Sequence, residues 1–283
     1  MANALIVYHS STGNTRHCAE VLQAALEGAG HGCELLDTRR ARQANLPDYD
    51  LIGFATAVYG FRPAHAMGEF LREMPAIEGK PVFLLACCSM IAAKSLWRMQ
   101  RTVHLKGGRV IAGIEVRGEE SWPAVRFPKL IVGKGRPNDD DDERLRAFAA
   151  NLLERHGRLA AGEDVDPPRL RWFSPWGLIG AITARPVMRY AMLGKKLNEE
   201  ACTQCGLCAR NCPMEAITLE PYPRFGGNCM GCFACVNLCP AEAISTPLTW
   251  GRVRYKGHGA GSAPPEQEGH DEGAGADGEK LEG

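Results

Sequence analysis

The sequence lacks an excess of either charge and has no long hydrophobic run. Its 33 lysines and arginines balance 33 aspartates and glutamates, so it lacks the basic field that general nucleic-acid binding requires. No stretch reaches the roughly 18 uncharged apolar residues of a membrane span. The N-terminus has no basic segment before an apolar core, so it predicts a first strand and not a secretion signal. We therefore expect a cytoplasmic protein with no nucleic-acid partner and no transmembrane segment.

Acidic residues are also absent from positions 167–198, which contain six basic residues. One interpretation is a connector that packs Trp172, Trp176, Leu178 and Ile179 against the preceding domain. The other is an interfacial segment that contacts anionic lipid. Prolines and glycines interrupt any single long helix here, which favours the connector and leaves peripheral membrane contact as the alternative.

Apolar runs alternate with amphipathic segments over residues 4 to about 160. The runs are 4–8, 33–36 (the weakest), 51–58, 82–88 and 110–116, and the helical segments are 15–28, 63–74, 92–105 and 143–156. Nearly continuous apolar strands between amphipathic helices are typical of a parallel sheet that is covered on both faces. The sequence therefore predicts a doubly wound α/β domain with five strands. Residues 122–137 are predicted to be an irregular insertion before the last helix.

Small hydroxyl-bearing residues crowd the end of the first predicted strand. The segment is Ser10, Ser11, Thr12, Gly13, Asn14 and Thr15. Such residues favour neither strands nor helix interiors, but a helix N-terminus that follows a strand attracts anions. The loop lacks the lysine of a nucleoside-triphosphate loop and the glycine pattern of a dinucleotide site. It predicts a phosphomonoester site built from neutral donors, with a helix cap that binds no ligand as the alternative.

Eight of the twelve cysteines form two runs of equal spacing. The runs are Cys202-x2-Cys205-x2-Cys208-x3-Cys212-Pro213 and Cys229-x2-Cys232-x2-Cys235-x3-Cys239-Pro240. In such runs three thiolates hold one cubic cluster and the fourth reaches the other cluster. The spacing predicts two 4Fe–4S clusters. The first is held by Cys202, Cys205, Cys208 and Cys239, and the second by Cys212, Cys229, Cys232 and Cys235. Zinc ribbons, whose ligands come in two pairs, and buried thiols fit the pattern less well.

The cysteine block resembles bacterial-type two-cluster ferredoxins, and Ser10-x-Thr12-Gly13-Asn14-Thr15 matches the flavodoxin phosphate-loop pattern [ST]-x-T-G-x-T. Together the two halves resemble the family of flavodoxin–ferredoxin fusion proteins. This resemblance implies FMN at the carboxyl ends of the strands. Two further loops would then contact the flavin through Thr56, Ala57, Val58, Tyr59 and Gly60, and through Cys88 and Ser89. Tyr59 would cover the flavin ring; otherwise it is a surface aromatic in a turn.

The function implied is electron transfer between the clusters and FMN, and on to redox partner proteins, with no catalytic residue assigned. One alternative is an FMN-dependent reductase of a small molecule or quinone, with residues 122–137 as one wall of its substrate pocket. The other is a docking module whose flavodoxin domain is empty. The expected domains are flavodoxin-like (1–164), basic connector (165–198), two-cluster ferredoxin (199–256) and disordered acidic tail (257–283), the last because it is too polar to order itself.

Overall fold

A computed structural model describes residues 1–127, 129–176, 194–249 and 252–258. The strands of its first domain are β1 (Asn3–His9), β2 (Gly32–Asp37), β3 (Leu51–Tyr59), β4 (Arg62–Pro63), β5 (Pro81–Cys88) and β6 (Arg109–Arg117). Five of them form a parallel sheet in the order β2-β1-β3-β5-β6, and the short β4 pairs antiparallel with the end of β3. This confirms the predicted doubly wound, five-stranded parallel sheet.

The central strands are apolar on both faces because each face supports its own core. Along β1, Leu5 and Val7 lie in one buried cluster, whereas Ala4 and Ile6 lie in the other. Successive side chains of a strand point to opposite faces, so a strand covered on both sides needs an unbroken apolar run. This is why the runs in the sequence show no polar alternation.

Among the described residues four helices cover the sheet, two on each face. They are α1 (Asn14–Gly28), α2 (His65–Glu73), α3 (Ser95–Leu105) and α4 (Asp139–Ala160). Helices α1 and α4 bury their apolar residues in the cluster of Ile6, and α2 and α3 bury theirs in the cluster of Leu5. Helix α4 begins before its predicted start at 143. The Asn138 side chain accepts from Asp141 N–H at 3.3 Å, the reciprocal bond completes a capping box, and aspartates fill the first turn. These features stabilise a helix start without any apolar residue.

The second domain repeats one loop-and-helix unit. Its elements are β7 (Lys196–Leu197), α5 (Leu207–Arg210), β8 (Ile217–Leu219), β9 (Pro223–Phe225), α6 (Ala234–Asn237) and β10 (Ile244–Ser245). Strand β7 pairs with β10, and β8 pairs with β9. The residues before α5 and α6, Gly206 and Phe233, are both left-handed, with φ of 70° and 59°. The two cysteine runs therefore share one backbone geometry.

The connector is described only in part. Trp176 stacks on Phe61 with ring centroids 5.7 Å apart, whereas Trp172 remains 67% exposed. Leu178 and Ile179 lie outside the described residues, as does the predicted acidic tail apart from Gly257 and His258. In the ranges that the structure describes, no helix combines the length and the apolar character needed to cross a bilayer.

Candidate functional site

The hydroxyl-rich loop of residues 10–15 joins β1 to the N-terminus of α1. Gly13 has a φ of 97°, a left-handed conformation that turns the chain into the helix. Its N–H donates to the Ser10 hydroxyl at 3.1 Å. Ser11, Thr12, Asn14 and Thr15 are all buried. Neutral hydroxyl and N–H donors at the positive end of a 15-residue helix suit a phosphate group. The chemistry of this donor set therefore fits the phosphate of FMN.

The Asn14 side chain is engaged by other parts of the chain. Its Nδ2 donates to the carbonyl of Glu119 at 3.0 Å, and its Oδ1 accepts from the Tyr255 hydroxyl. The amide thus ties the loop to the segment after β6 and to the C-terminal part of the described chain. The hydroxyls of Ser10, Thr12 and Thr15 then remain as side-chain donors for a phosphate, since Ser10 only accepts a hydrogen bond within the loop.

Residues 252–258, which we term the C-terminal strap, lie against the outer side of this loop. The His258 N–H donates to the Thr12 carbonyl at 2.9 Å. A Cβ atom on Gly13 would lie 2.8 Å from the His258 carbonyl oxygen, so only glycine fits there. At the other end, Arg254 donates to the carbonyl of Val236 at 2.8 Å. The strap therefore connects the cysteine domain directly to the loop.

The loop after β3 begins with a rigid turn. The Thr56 hydroxyl donates to the Ala57 carbonyl at 2.9 Å and accepts from Ala64 N–H at 3.1 Å. Val58 and Tyr59 then pair with β4, and Gly60 follows with a φ of 54°. Burial raises the pKa of Tyr59, so its hydroxyl stays protonated. Tyr59 thus lies at the carboxyl end of β3, as the prediction of a ring-covering residue requires.

The loop after β5 holds the remaining predicted flavin contacts. Cys88 ends β5 and is 6% exposed, and the next residue, Ser89, donates its hydroxyl to Glu120 at 2.6 Å. Burial holds the pKa of Cys88 above its ordinary value, so it is a neutral thiol. Both residues lie at the same sheet edge as the hydroxyl-rich loop.

The eight predicted cluster ligands separate into two groups. Cys212, Cys229, Cys232 and Cys235 line one cavity, and Cys208 of the first set also contributes to its lining. Burial, with a smaller contribution from the nearby Cys229 and Cys212, raises the pKa of Cys232 and Cys235. Burial also raises the pKa of Cys208, and there the nearby cysteines are Cys205 and Cys239. These groups correspond to the two predicted ligand sets. Among the residues that the structure describes, no three His, Cys, Asp or Glu side chains come together for a single metal ion.

The second set of cysteines, Cys212, Cys229, Cys232 and Cys235, has the donors that a cluster needs. Backbone N–H groups of Ala216 and Gly231 donate to the Sγ atoms of Cys212 and Cys229 at 3.3 and 3.4 Å. Burial raises the pKa of Cys232 to about 11. A neutral thiol releases its proton when it binds metal, so the chemistry of this donor set fits an iron–sulfur cluster.

This second cysteine set faces the first domain. Cys212, Cys229 and Cys232 pack against the core cluster of Leu5, as Tyr59 also does, and the neighbouring Met230 is buried in that cluster. By contrast, Cys205 of the first set is exposed. The second set thus consists of three half-buried cysteines and the buried Cys235, whereas the first set includes a cysteine that is exposed to solvent. Local patterns in the sequence did not indicate this asymmetry.

The segment after β6 also contacts the cysteine domain. Trp122 packs edge-on against Phe233, with ring centroids 6.4 Å apart, and Asn237 donates to the Ser121 carbonyl at 2.7 Å. Arg126, only 3% exposed, pairs with Glu119 at 2.9 Å. The predicted insertion is therefore occupied by contacts with the cysteine domain and the strap.

The fold and these two sites together define an electron-transfer class of protein. Residues 5–131 match the family model described as a flavodoxin domain, and residues 195–240 match that of a 4Fe-4S dicluster domain. The chain therefore carries a flavodoxin domain followed by a 4Fe–4S dicluster domain, as the sequence predicts.

Individual relatives match the first domain. A flavodoxin of Nitratidesulfovibrio vulgaris (strain DSM 19637 / Miyazaki F) is 33% identical over 79 residues, which are 28% of this chain and 53% of the relative. The chain thus spans about half the length of this curated relative. A solved flavodoxin from the domain Archaea is 15% identical, with a TM-score of 0.43 over 55% of this chain and 99% of that one. A Streptococcus pneumonia TIGR4 flavodoxin is 19% identical, with a TM-score of 0.42 over 54% and 99%.

Replacing Tyr255 by phenylalanine should weaken the attachment of the strap. The change removes the donor to the buried Oδ1 of Asn14, and an unsatisfied buried acceptor costs about 1–3 kcal/mol. We expect the free energy of unfolding of the anaerobic holoprotein in urea to fall by that amount. Tyr222→Phe, between β8 and β9, is the matched control and should change it by no more than about 0.5 kcal/mol. Equal values for the two variants would show that the Tyr255 contact does not stabilise the protein.

Proposed function

We propose that this protein is an electron carrier that passes electrons between two 4Fe–4S clusters and a bound FMN, and on to a redox partner protein. The observation that carries the proposal is the position of the second cysteine set. Its Cys229 and Cys232 pack against the same core cluster as Tyr59, which lies at the carboxyl end of β3. This arrangement supports two cofactor sites that lie close together in one chain.

The residues of the chain would place and tune the cofactors. When bound, FMN exchanges one or two electrons and each cluster exchanges one. The hydroxyls of Thr12 and Thr15 would hold the phosphate at the positive end of α1. The first cysteine set (Cys202, Cys205, Cys208 and Cys239) would hold the cluster nearer to solvent and the second set the buried one. The exposed loop of Cys205 is then the entry or exit point for a partner protein.

A reductase of a small molecule or quinone is the second candidate. It needs a substrate pocket over the flavin, and the sequence offers residues 122–137 as its wall. In the structure Trp122 and Arg126 are engaged by Phe233 and by the strap carbonyl of Val253. These contacts favour the carrier. Turnover with a quinone, but not with one-electron acceptor proteins, would support the reductase instead.

The chemistry of the iron–sulfur ligands also bears on the cellular compartment. Iron–sulfur ligands are thiolates that must stay reduced, which the cytoplasm provides. We therefore propose a cytoplasmic carrier.

Cofactor analysis of the anaerobically purified full chain tests this function. We expect about eight irons and eight acid-labile sulfides per chain, and FMN as the flavin released by heat. Cys33→Ser, which alters a half-buried thiol of β2 outside both cysteine sets, is the matched control and should retain all the iron. Zinc in place of iron and sulfide would contradict the cluster assignment. Full iron without flavin would support the docking module.

A further inference from the structure

Two stretches of the chain contain no aspartate or glutamate. Residues 79–114, which include helix α3, carry six lysines and arginines, and residues 167–198 carry six more. Leu96 of α3 and Leu170 of the second stretch both pack on the core cluster of Leu5. Parts of two segments that lack carboxylates, far apart in the sequence, are therefore brought to one face of the sheet.

The second stretch is fixed at two points beside α3. Leu170 covers β6, where a Cβ atom on Gly113 would lie 2.9 Å from the Leu170 Cδ2. Trp176 stacks on Phe61, the residue directly before β4. Helix α3 contacts both β6 and β4. Residues 170–176 and α3 are therefore neighbours on the same face.

The outward side of α3 is basic. Lys94, Arg98 and Arg101 follow one another at intervals of four and three residues, which places them on one side of a helix. All three reach solvent, and Arg101 lies over the ring of Trp97, 5.9 Å from its centroid. The ion pairs found among the described residues use other cations. No carboxylate of the described chain therefore pairs with these three side chains.

The second stretch adds exposed aromatic side chains next to arginines. Trp172 is 67% exposed and Phe173 58%, with their ring centroids 5.8 Å apart. Arg169 and Arg171, which precede them in the chain, are exposed as well. The interpretation of this stretch as a packed connector fits Trp176 but not Trp172. Contact with the first domain therefore does not account for the aromatic pair, and large exposed apolar groups mark interaction surfaces.

We propose that the basic side of α3 and the exposed segment 169–173 form one surface that docks peripherally on a membrane of anionic phospholipid. Lysines and arginines near such a membrane are attracted to its headgroups. Tryptophan and phenylalanine side chains enter the boundary between headgroups and acyl chains. An acidic protein surface would complement the cations alone, whereas this boundary complements the cations and the aromatic rings together. A carrier docked in this way would exchange electrons at a bilayer surface.

Co-sedimentation of the full-length holoprotein with vesicles tests this surface. The wild type should bind vesicles of equal parts phosphatidylglycerol and phosphatidylcholine at low salt, and bind poorly at high salt or to phosphatidylcholine alone. Arg101→Gln should lower the partition coefficient about fivefold, the contribution of one charge near an anionic surface. Trp172→Ala combined with Phe173→Ala should lower it by at least that factor. Arg146→Gln changes an exposed arginine of α4, on the opposite face of the sheet. It is the matched control and should leave the coefficient unchanged.

The remaining outcomes would overturn the docking surface. Equal binding to both kinds of vesicle would show that charge is not recognised. Salt-sensitive binding that survives the aromatic double variant would show that the cations act alone, and no binding by the wild type would leave an acidic partner protein as the alternative. Equal losses in Arg101→Gln and Arg146→Gln would show a general effect of charge.

Flavin and iron content are measured for each variant, so that a folding defect is not counted as lost binding. If the aromatic double variant loses its cofactors, Trp172→Gln alone takes its place and should still weaken binding. The docking surface contains no predicted cofactor ligand, so vesicle binding can fail while the proposed electron transfer holds, and the reverse is equally possible.

Discussion

Replacing Cys212 by serine is expected to reduce the iron content from about eight to about four per chain. The reason is that Cys212 lines the cavity of Cys229, Cys232 and Cys235, although it belongs to the other sequence run. Each cubic cluster needs four thiolates, so loss of the remote ligand destabilises the second cluster and leaves the first. Iron and sulfide analysis gives the stoichiometry. The EPR spectrum of the reduced protein should lose the broadening that arises from two interacting clusters.

Double variants identify which cluster is lost. Cys212→Ser combined with Cys232→Ser removes two ligands of one cluster, so it should retain about four irons. Cys212→Ser combined with Cys205→Ser removes one ligand from each cluster and should retain almost none. The reverse pattern would show that each run holds its own cluster, and it would contradict the crossed assignment.

Replacing Thr12 or Thr15 by valine is expected to weaken FMN binding more than riboflavin binding. Each change removes a hydroxyl donor next to the N-terminus of α1, and a hydrogen bond to a charged group contributes about 1.5–3 kcal/mol. This corresponds to an increase of about 10- to 150-fold in the Kd of FMN for each variant. Flavin fluorescence titrations of the flavin-free protein measure both ligands.

The comparison with riboflavin, which lacks the phosphate, isolates the phosphate contact. Thr218→Val, on the exposed face of β8, makes the same chemical change far from the loop and should leave both affinities unchanged. An equal loss for FMN and riboflavin would show that Thr12 and Thr15 only cap the helix.

The sheet could be predicted because the apolar runs that produce its strands are local features of the sequence. Central strands such as β3 and β5 need continuous apolar runs, and such runs are visible in any short window. The start of α4 could not be found in this way. Its first turn is stabilised by Asn138, Asp141 and the helix dipole, and hydrophobic periodicity does not record these contributions.

The candidate site was predictable to a smaller extent. The loop of residues 10–15 and the cysteine runs follow fixed local spacings. The residues that form each of them could therefore be identified from the sequence. The pairing of Asn14 with Tyr255 joins residues that lie 241 positions apart. Such contacts depend on how two domains dock, and no periodicity in either segment encodes them.

The strap also sets the order in which this molecule is completed. Asn14 and Tyr255 are 241 positions apart, so the hydroxyl-rich loop leaves the ribosome long before the residue that anchors its amide. Contacts between distant parts of a chain form after local ones because the intervening loop must first be closed. The cysteine runs lie between the two ends of this contact, and they are therefore synthesised before the strap can close on the loop. The hydroxyl-rich loop thus reaches its final contacts only after the cysteine domain has been synthesised.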